Sequence, residues 1–177
     1  MQMEKGKATE MLAWLSRAHE WRWIGFALVF SAAWEIAQLP LYDLSASRTS
    51  VAYALAHCTA GDGIIAIAAH VSAAIATGSR EWVFRRPWFG TVVVILVALV
   101  YTVFSEWRNV YWLGSWAYRS EMPRVLGIGV APLLQWVVVP VLTLGAARGR
   151  GRRDARQRNC NVPRGAGSAS MIWDMFK

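Results

Sequence analysis

Three carboxylic acids stand where a carboxylate is least at ease. Glu35, Asp62 and Glu106 each fall within or at the end of an apolar stretch of a 177-residue chain. An ionisable side chain near the centre of a bilayer-spanning helix is unfavourable by about 3 kcal/mol, so each such residue needs a reason to be there. His57 and His70 keep them company. Carboxyls and an imidazole brought together can act as general acid and general base. The same set, with His57 beside Asp62 and Glu106, offers oxygen and nitrogen ligands to a metal ion. The sequence has no HExxH or paired-histidine spacing that would specify a metal site by itself.

Helical spacing groups further polar residues with the acids. Ser31, Glu35 and Gln38 are four and three residues apart and share a face, as do Cys58 with Asp62 and Thr102 with Glu106. Gly61 and Gly63 flank Asp62, where the backbone is expected to open or to admit a neighbouring helix. Gln135 adds an amide from a later apolar stretch. Simpler roles exist for each: Glu35 and Glu106 reaching headgroup water, Asp62 capping a helix start, and the histidines and Gln135 tying helices together.

Four elements must position these groups. Apolar stretches long enough to cross a bilayer run from Trp23 to Tyr42, His57 to Thr77, Trp88 to Phe104 and Val125 to Ala147, the last interrupted by Pro132 and Pro140. The chain is 55% hydrophobic and 17% charged, with eleven tryptophans. The charged share is well below the roughly one quarter usual in soluble domains. The third stretch carries no charge and no polar face, which excludes a soluble helical bundle. These features define an all-α integral membrane protein, four transmembrane helices in a single bundle over residues 23–147.

Charge orients the spans. Of the 19 Lys and Arg, fifteen lie before the first span, between the second and third, or after the fourth, and four lie in the other two loops. The positive-inside rule therefore places both termini in the cytoplasm of a multi-pass bacterial inner-membrane protein. With that orientation Glu35, His57, Asp62 and Glu106 fall at similar depth in the outer half, with His70 deeper. Residues 1–22 form a cytoplasmic segment whose Met11–Trp23 stretch reads as a helix lying along the interface. A signal peptide ending near Ser31–Ala33 is the lesser reading, because acidic residues precede it and apolar ones continue beyond it. Residues 148–177 read as a disordered basic tail that anchors on anionic lipid and binds no nucleic acid. Cys58 and Cys160 lie on opposite sides and cannot pair. Trp21, Trp23, Trp82 and Trp88 inside, with Trp107, Trp112 and Trp116 outside, read as interfacial belts.

The stretch from Glu106 to Pro140 carries an acid, a Gly-x-Trp-x-Tyr element, a Leu-Gly-Ile turn and a proline opening the next helix. These are Glu106, Gly114, Trp116, Tyr118, Leu126, Gly127, Ile128 and Pro132. Over about a fifth of the chain this pattern resembles the small membrane-embedded lycopene cyclases of carotenoid-producing bacteria. Where that family has paired acids just after the proline, this chain has Leu134 and Gln135. The resemblance thus implies a related fold and a long isoprenoid or other lipid ligand, without implying cyclase chemistry. Three functional classes follow from the residues. One is an enzyme using Glu35, Asp62 and Glu106 on a lipid-soluble substrate, with Gln38, Trp116, Tyr118 and Gln135 lining its site. The others are a proton or metal carrier or sensor, with His57 as ligand or relay, and a structural subunit of a larger homo- or hetero-oligomeric assembly. The sequence names no cofactor.

Overall fold

The computed structural model describes residues 2–44 and 50–160, with side chains over residues 19–44 and 50–149. Expectations that concern Arg48, the side chain of Cys160, the faces of the helix before His19 and the chain beyond residue 160 lie outside the described residues. The described residues form five α-helices: α1 (Gln2–Gln38), α2 (Val51–Thr77), α3 (Trp82–Arg85), α4 (Pro87–Trp107) and α5 (Val130–Cys160). Four of them contain stretches long and apolar enough to cross a membrane: His19–Leu41, Val51–Thr77, Pro87–Trp112 and Val130–Gly149. The outward faces carry large apolar side chains such as Ile64, Ile75, Leu96 and Val100, all well exposed. Outward apolar faces of this kind suit helices that are long and apolar enough to cross a membrane.

The long helices pack in cyclic order: α1 on α2, α2 on α4, α4 on α5, and α5 back on α1. Small residues make the close approaches. Ala27, Ala66, Ala69, Ala73 and Ala98 are all fully buried, as expected where dispersion and close backbone approach, rather than hydrophobic expulsion, hold helices together. Trp82 from short α3 inserts into this packing, and a Cβ on Gly90 would stand 2.2 Å from its ring. Only glycine leaves room for that indole.

Several boundaries differ from the sequence reading. The first helix is continuous from Gln2 to Gln38, so no break separates an interfacial segment from the span. The second begins at Val51 rather than His57, because the Ser50 side chain caps it by accepting from Tyr53 N at 3.2 Å. It closes on Gly78, whose φ of 66° allows the left-handed turn that ends the helix. The fourth span begins at Val130 rather than Val125. Residues before it fold into a tight antiparallel hairpin, β3 (Arg124–Val125) with β4 (Ile128–Gly129). Its turn residues Leu126 and Gly127 both have positive φ, 52° and 83°, as a two-residue hairpin loop of this hand requires. Pro132 falls in the first turn of α5, where no amide hydrogen is needed, and Pro140 is accommodated inside the helix. The helix then continues to Cys160, so Arg148–Cys160 is helical rather than disordered. Alanine, arginine and glutamine in that stretch are good helix formers.

At one end of the helices the chain forms a small ribbon. A 3-10 turn (Leu39–Leu41) leads from α1 into β1 (Tyr42–Asp43), which pairs antiparallel with β2 (Ala117–Tyr118). Between α4 and β2 the chain passes through one wide π-helical turn, Arg108–Trp112.

Candidate functional site

The ribbon end holds the acids. In the register of β1 and β2, Tyr42 lies directly opposite Tyr118, so both phenols project from the same face. Tyr118 donates to Glu106 Oε2 at 2.6 Å and Tyr42 to the same oxygen at 3.5 Å. Burial, and then the adjacent Glu106 carboxylate, push both phenols above their ordinary range. Both therefore remain protonated donors. Trp116 meets the Tyr42 ring edge to face, centroids 6.3 Å apart. Glu106 itself is buried near the end of α4 and held by the two phenols.

A second set of bonds ties α1, α2 and α5 together. Gln135 Nε2 donates to Asp62 Oδ2 at 2.5 Å, and Gln38 Nε2 donates to Glu35 Oε1 at 2.9 Å. Gln38 Nε2 also approaches Gln135 Oε1 at 3.5 Å. The Trp34 indole donates to Gln38 Oε1 and to the Ala131 carbonyl, each at 3.1 Å. The Glu35 and Asp62 carboxyls face the same cavity. Two amides thus fix two carboxyls, and the Trp34 indole, one turn before Gln38 on α1, fixes one of the amides. A buried polar network of this kind holds its geometry because releasing any member strands a polar group in apolar surroundings.

Glu35, Asp62 and Glu106 all line one cavity of about 110 Å³. His57, Trp116 and Gln135 line it too, so the structure brings together most of the residues singled out in the sequence. Gln38 and Tyr118 stand behind the wall, each bonded to an acid that faces the space. Among the described residues no Lys or Arg lines the cavity, and Ile65, Tyr101, Pro132 and Trp136 supply apolar surface. A smaller adjoining space of about 50 Å³ shares Glu35, Cys58, Glu106 and Trp116 with it.

Several individual readings change. Asp62 is mid-helix and buried, so it caps nothing. The helix does not open at Gly61 and Gly63. A Cβ on Gly63 would come within 3.0 Å of Leu28, so this glycine admits α1, while Gly61 borders the cavity. His57 is exposed at the cavity rim with its ring parallel to Tyr53, centroids 5.8 Å apart. Among the described residues no group of three His, Cys, Asp or Glu side chains is arranged to hold a metal ion. His57, Asp62 and Glu106 therefore share a cavity without forming a ligand set. His70 makes no interhelical hydrogen bond: both ring nitrogens are buried without a partner. Its ring packs instead against Trp23 and Trp82, at 5.0 and 5.4 Å. Those two indoles are fully buried rather than interfacial, while Trp21, Trp88, Trp107 and Trp112 are exposed as belt residues would be.

Trp34 and Tyr42 were absent from the sequence-derived set. Trp34 precedes Gln38 by one helical turn, which is a usable signal. Tyr42 has none, because its partner lies far along the chain. No protein-family model, curated protein or solved structure matches this chain.

Proposed function

We propose that this protein is a four-helix bundle of the bacterial inner membrane, with both termini in the cytoplasm, that performs acid–base chemistry on a lipid-soluble, isoprenoid-like molecule. The observation that carries this reading is the meeting of Glu35, Asp62 and Glu106, from α1, α2 and α4, around one small cavity. Facing lipid would be unfavourable for each, and facing one shared cavity is not. Glu35 and Asp62 form a proton-handling pair: one carboxyl gives a proton to the substrate, the other removes one, and net charge is unchanged. Glu106, held by two phenols, supplies a fixed negative group facing the reacting atoms. Trp116 offers a ring face to the substrate, and Gln38 and Gln135 orient the acids. The pattern shared with membrane-embedded lycopene cyclases supports the ligand class.

The orientation rests on the fifteen-to-four division of basic residues. Alkaline-phosphatase fusions after residues 46 and 115 should be active, and fusions after 83 and 160 inactive; activity at 83 would overturn it. The chemistry is tested by mass spectrometry of lipid extracts from cells making wild-type protein or Asp62→Asn at equal level. A lipid-soluble species that changes with the wild type alone is expected. Superimposable extracts would leave the network as a tie between helices and the protein as a structural subunit.

A further inference from the structure

At the end of the helices away from the ribbon, α1 and the close of α2 border an open hollow of about 380 Å³. Part of its wall is charged. Arg80 Nε meets Glu20 Oε1 there at 2.9 Å, and Arg80 Nη2 meets Glu20 Oε2 at 3.5 Å. A guanidinium has five N–H donors, so this pair leaves others for a ligand, and the Arg80 side chain is 76% exposed. Another part of the wall is apolar: Val71, Ala74 and Ile75, of which Val71 and Ile75 belong to the outward face of α2. His70 lines the hollow too. It is only 6% exposed, and both ring nitrogens are without a hydrogen-bond partner among the described residues. Its ring packs beside Trp23, which follows Glu20 by three residues, about 4.5 Å of helix rise. His70 therefore stands about one turn further into the bundle than the ion pair.

Charge and depth together define a ligand. A purely anionic group would also meet Glu20, and a purely cationic one would also meet Arg80, whereas a zwitterion suits both. Phosphate is the anion that an arginine fork matches, and a primary ammonium carries N–H donors for the Glu20 carboxylate. An apolar chain attached to them has Val71 and Ile75 to follow. In a glycerophospholipid the ester carbonyls come between phosphate and chains, at the step inward where His70 waits with no partner. We infer that this hollow binds a phosphatidylethanolamine-type lipid: phosphate on Arg80, ammonium on Glu20, an ester carbonyl accepting from His70, and an acyl chain along Val71 and Ile75. Each buried or half-buried polar group of the hollow then has a partner, which relieves the penalty of leaving His70 unpaired. The inference needs the helices to span a bilayer and is independent of the acid–base reading, since the hollow shares no lining residue with the acid-lined cavity.

Native mass spectrometry of the full chain tests it, with lipids of identical acyl chains supplied in equal amounts in detergent. Wild-type protein should retain one phosphatidylethanolamine per chain, and favour it over phosphatidylglycerol by roughly fivefold or more, the scale of a charge-assisted hydrogen bond at a partly exposed site. Phosphatidylcholine, whose ammonium has no N–H, should also fall below it. A diether phosphatidylethanolamine, which lacks ester carbonyls, should be held several-fold less well than the diester by wild type and equally well by His70→Phe. Glu20→Gln should erase the headgroup preference. Glu81→Gln, which opens the exposed Glu81–Arg85 pair, should keep it. Excess water-soluble glycerophosphoethanolamine should not displace the lipid; displacement would assign the hollow to a free phosphoester instead. Equal retention of the headgroups by wild type, or a preference that survives Glu20→Gln, would overturn the lipid site. Equal retention of ester and ether lipids by wild type would overturn the part given to His70. The wild-type comparisons depend on no variant folding.

Discussion

The two ends of the helix packing solve the problem of buried polarity in opposite ways. At the ribbon end, Asp62, Glu35 and Glu106 are each held by hydrogen bonds from side chains on other elements or one turn away, and the bonds surround an open space. At the other end, Trp23, His70 and Trp82 lock together ring against ring, and their polar nitrogens have no hydrogen-bond partner among the described residues. Burying a polar group without a hydrogen bond is unfavourable by about 1–3 kcal/mol on protein mutational data. At the aromatic end the rings pack on one another beside an open hollow of about 380 Å³ that His70, Glu20 and Arg80 line; at the ribbon end polar groups hold the acids around a cavity of about 110 Å³. The two ends thus use their polar groups differently, and substitutions there should have different signatures.

The largest effect is expected from Asp62→Asn, which keeps volume and removes the acid. Conversion of the lipid substrate should fall by about a hundred- to ten-thousand-fold, the usual contribution of a general acid or base, with the folded protein recovered in detergent at normal yield. Trp82→Ala should do the reverse. Loss of a fully buried indole should destabilise the protein by about 3–5 kcal/mol in a detergent unfolding titration. Activity should then fall only in step with the folded fraction. Gly90→Ala presses on the same indole from α4 and should be unfavourable by about 1–3 kcal/mol, as overpacking usually is. If Gly90→Ala instead impaired turnover with stability intact, the division between the two ends would fail. Smallest is Tyr118→Phe, which removes one donor to Glu106. It should lower stability by about 0.5–1.5 kcal/mol, and activity should fall by less than for Asp62→Asn, because Tyr42 still donates to the same oxygen.

The sequence foretold the ribbon end better than the aromatic end, for a physical reason. Span length and hydropathy set the depth of each residue, and helical periodicity sets its face. Acids on three spans at one depth, where lipid is unfavourable, have little choice but to face one another, and Glu35, Asp62 and Glu106 do so. The same logic ranks Gln38 and Gln135 beside them. An aromatic residue at a span end has no such constraint, since an interfacial belt and a buried core suit it equally well. Trp23 and Trp82 accordingly read as belt residues. Pairing of Tyr42 with Tyr118 was also beyond reach. Two-residue strands leave no periodicity, and their meeting depends on how α1 and α4 tilt against each other. The early start of α2 was legible in principle, both from Ser50 as a cap and from the apolar stretch Val51–Ala56 that leads into His57.

The most direct test of the acid site is solvent isotope uptake. Purified protein in nanodiscs is incubated in D₂O with a total lipid extract of its host cells, and the extract is then resolved by mass spectrometry. Wild-type protein should yield a lipid-soluble species carrying solvent-derived deuterium on carbon, because one carboxyl delivers a proton that has exchanged with water and the other removes one from the substrate. Asp62→Asn, inserted and folded to the same extent, should yield none. Deuterium uptake that is equal in the two proteins, or absent from both, would contradict a role for the Glu35–Asp62–Glu106 cavity in acid–base chemistry.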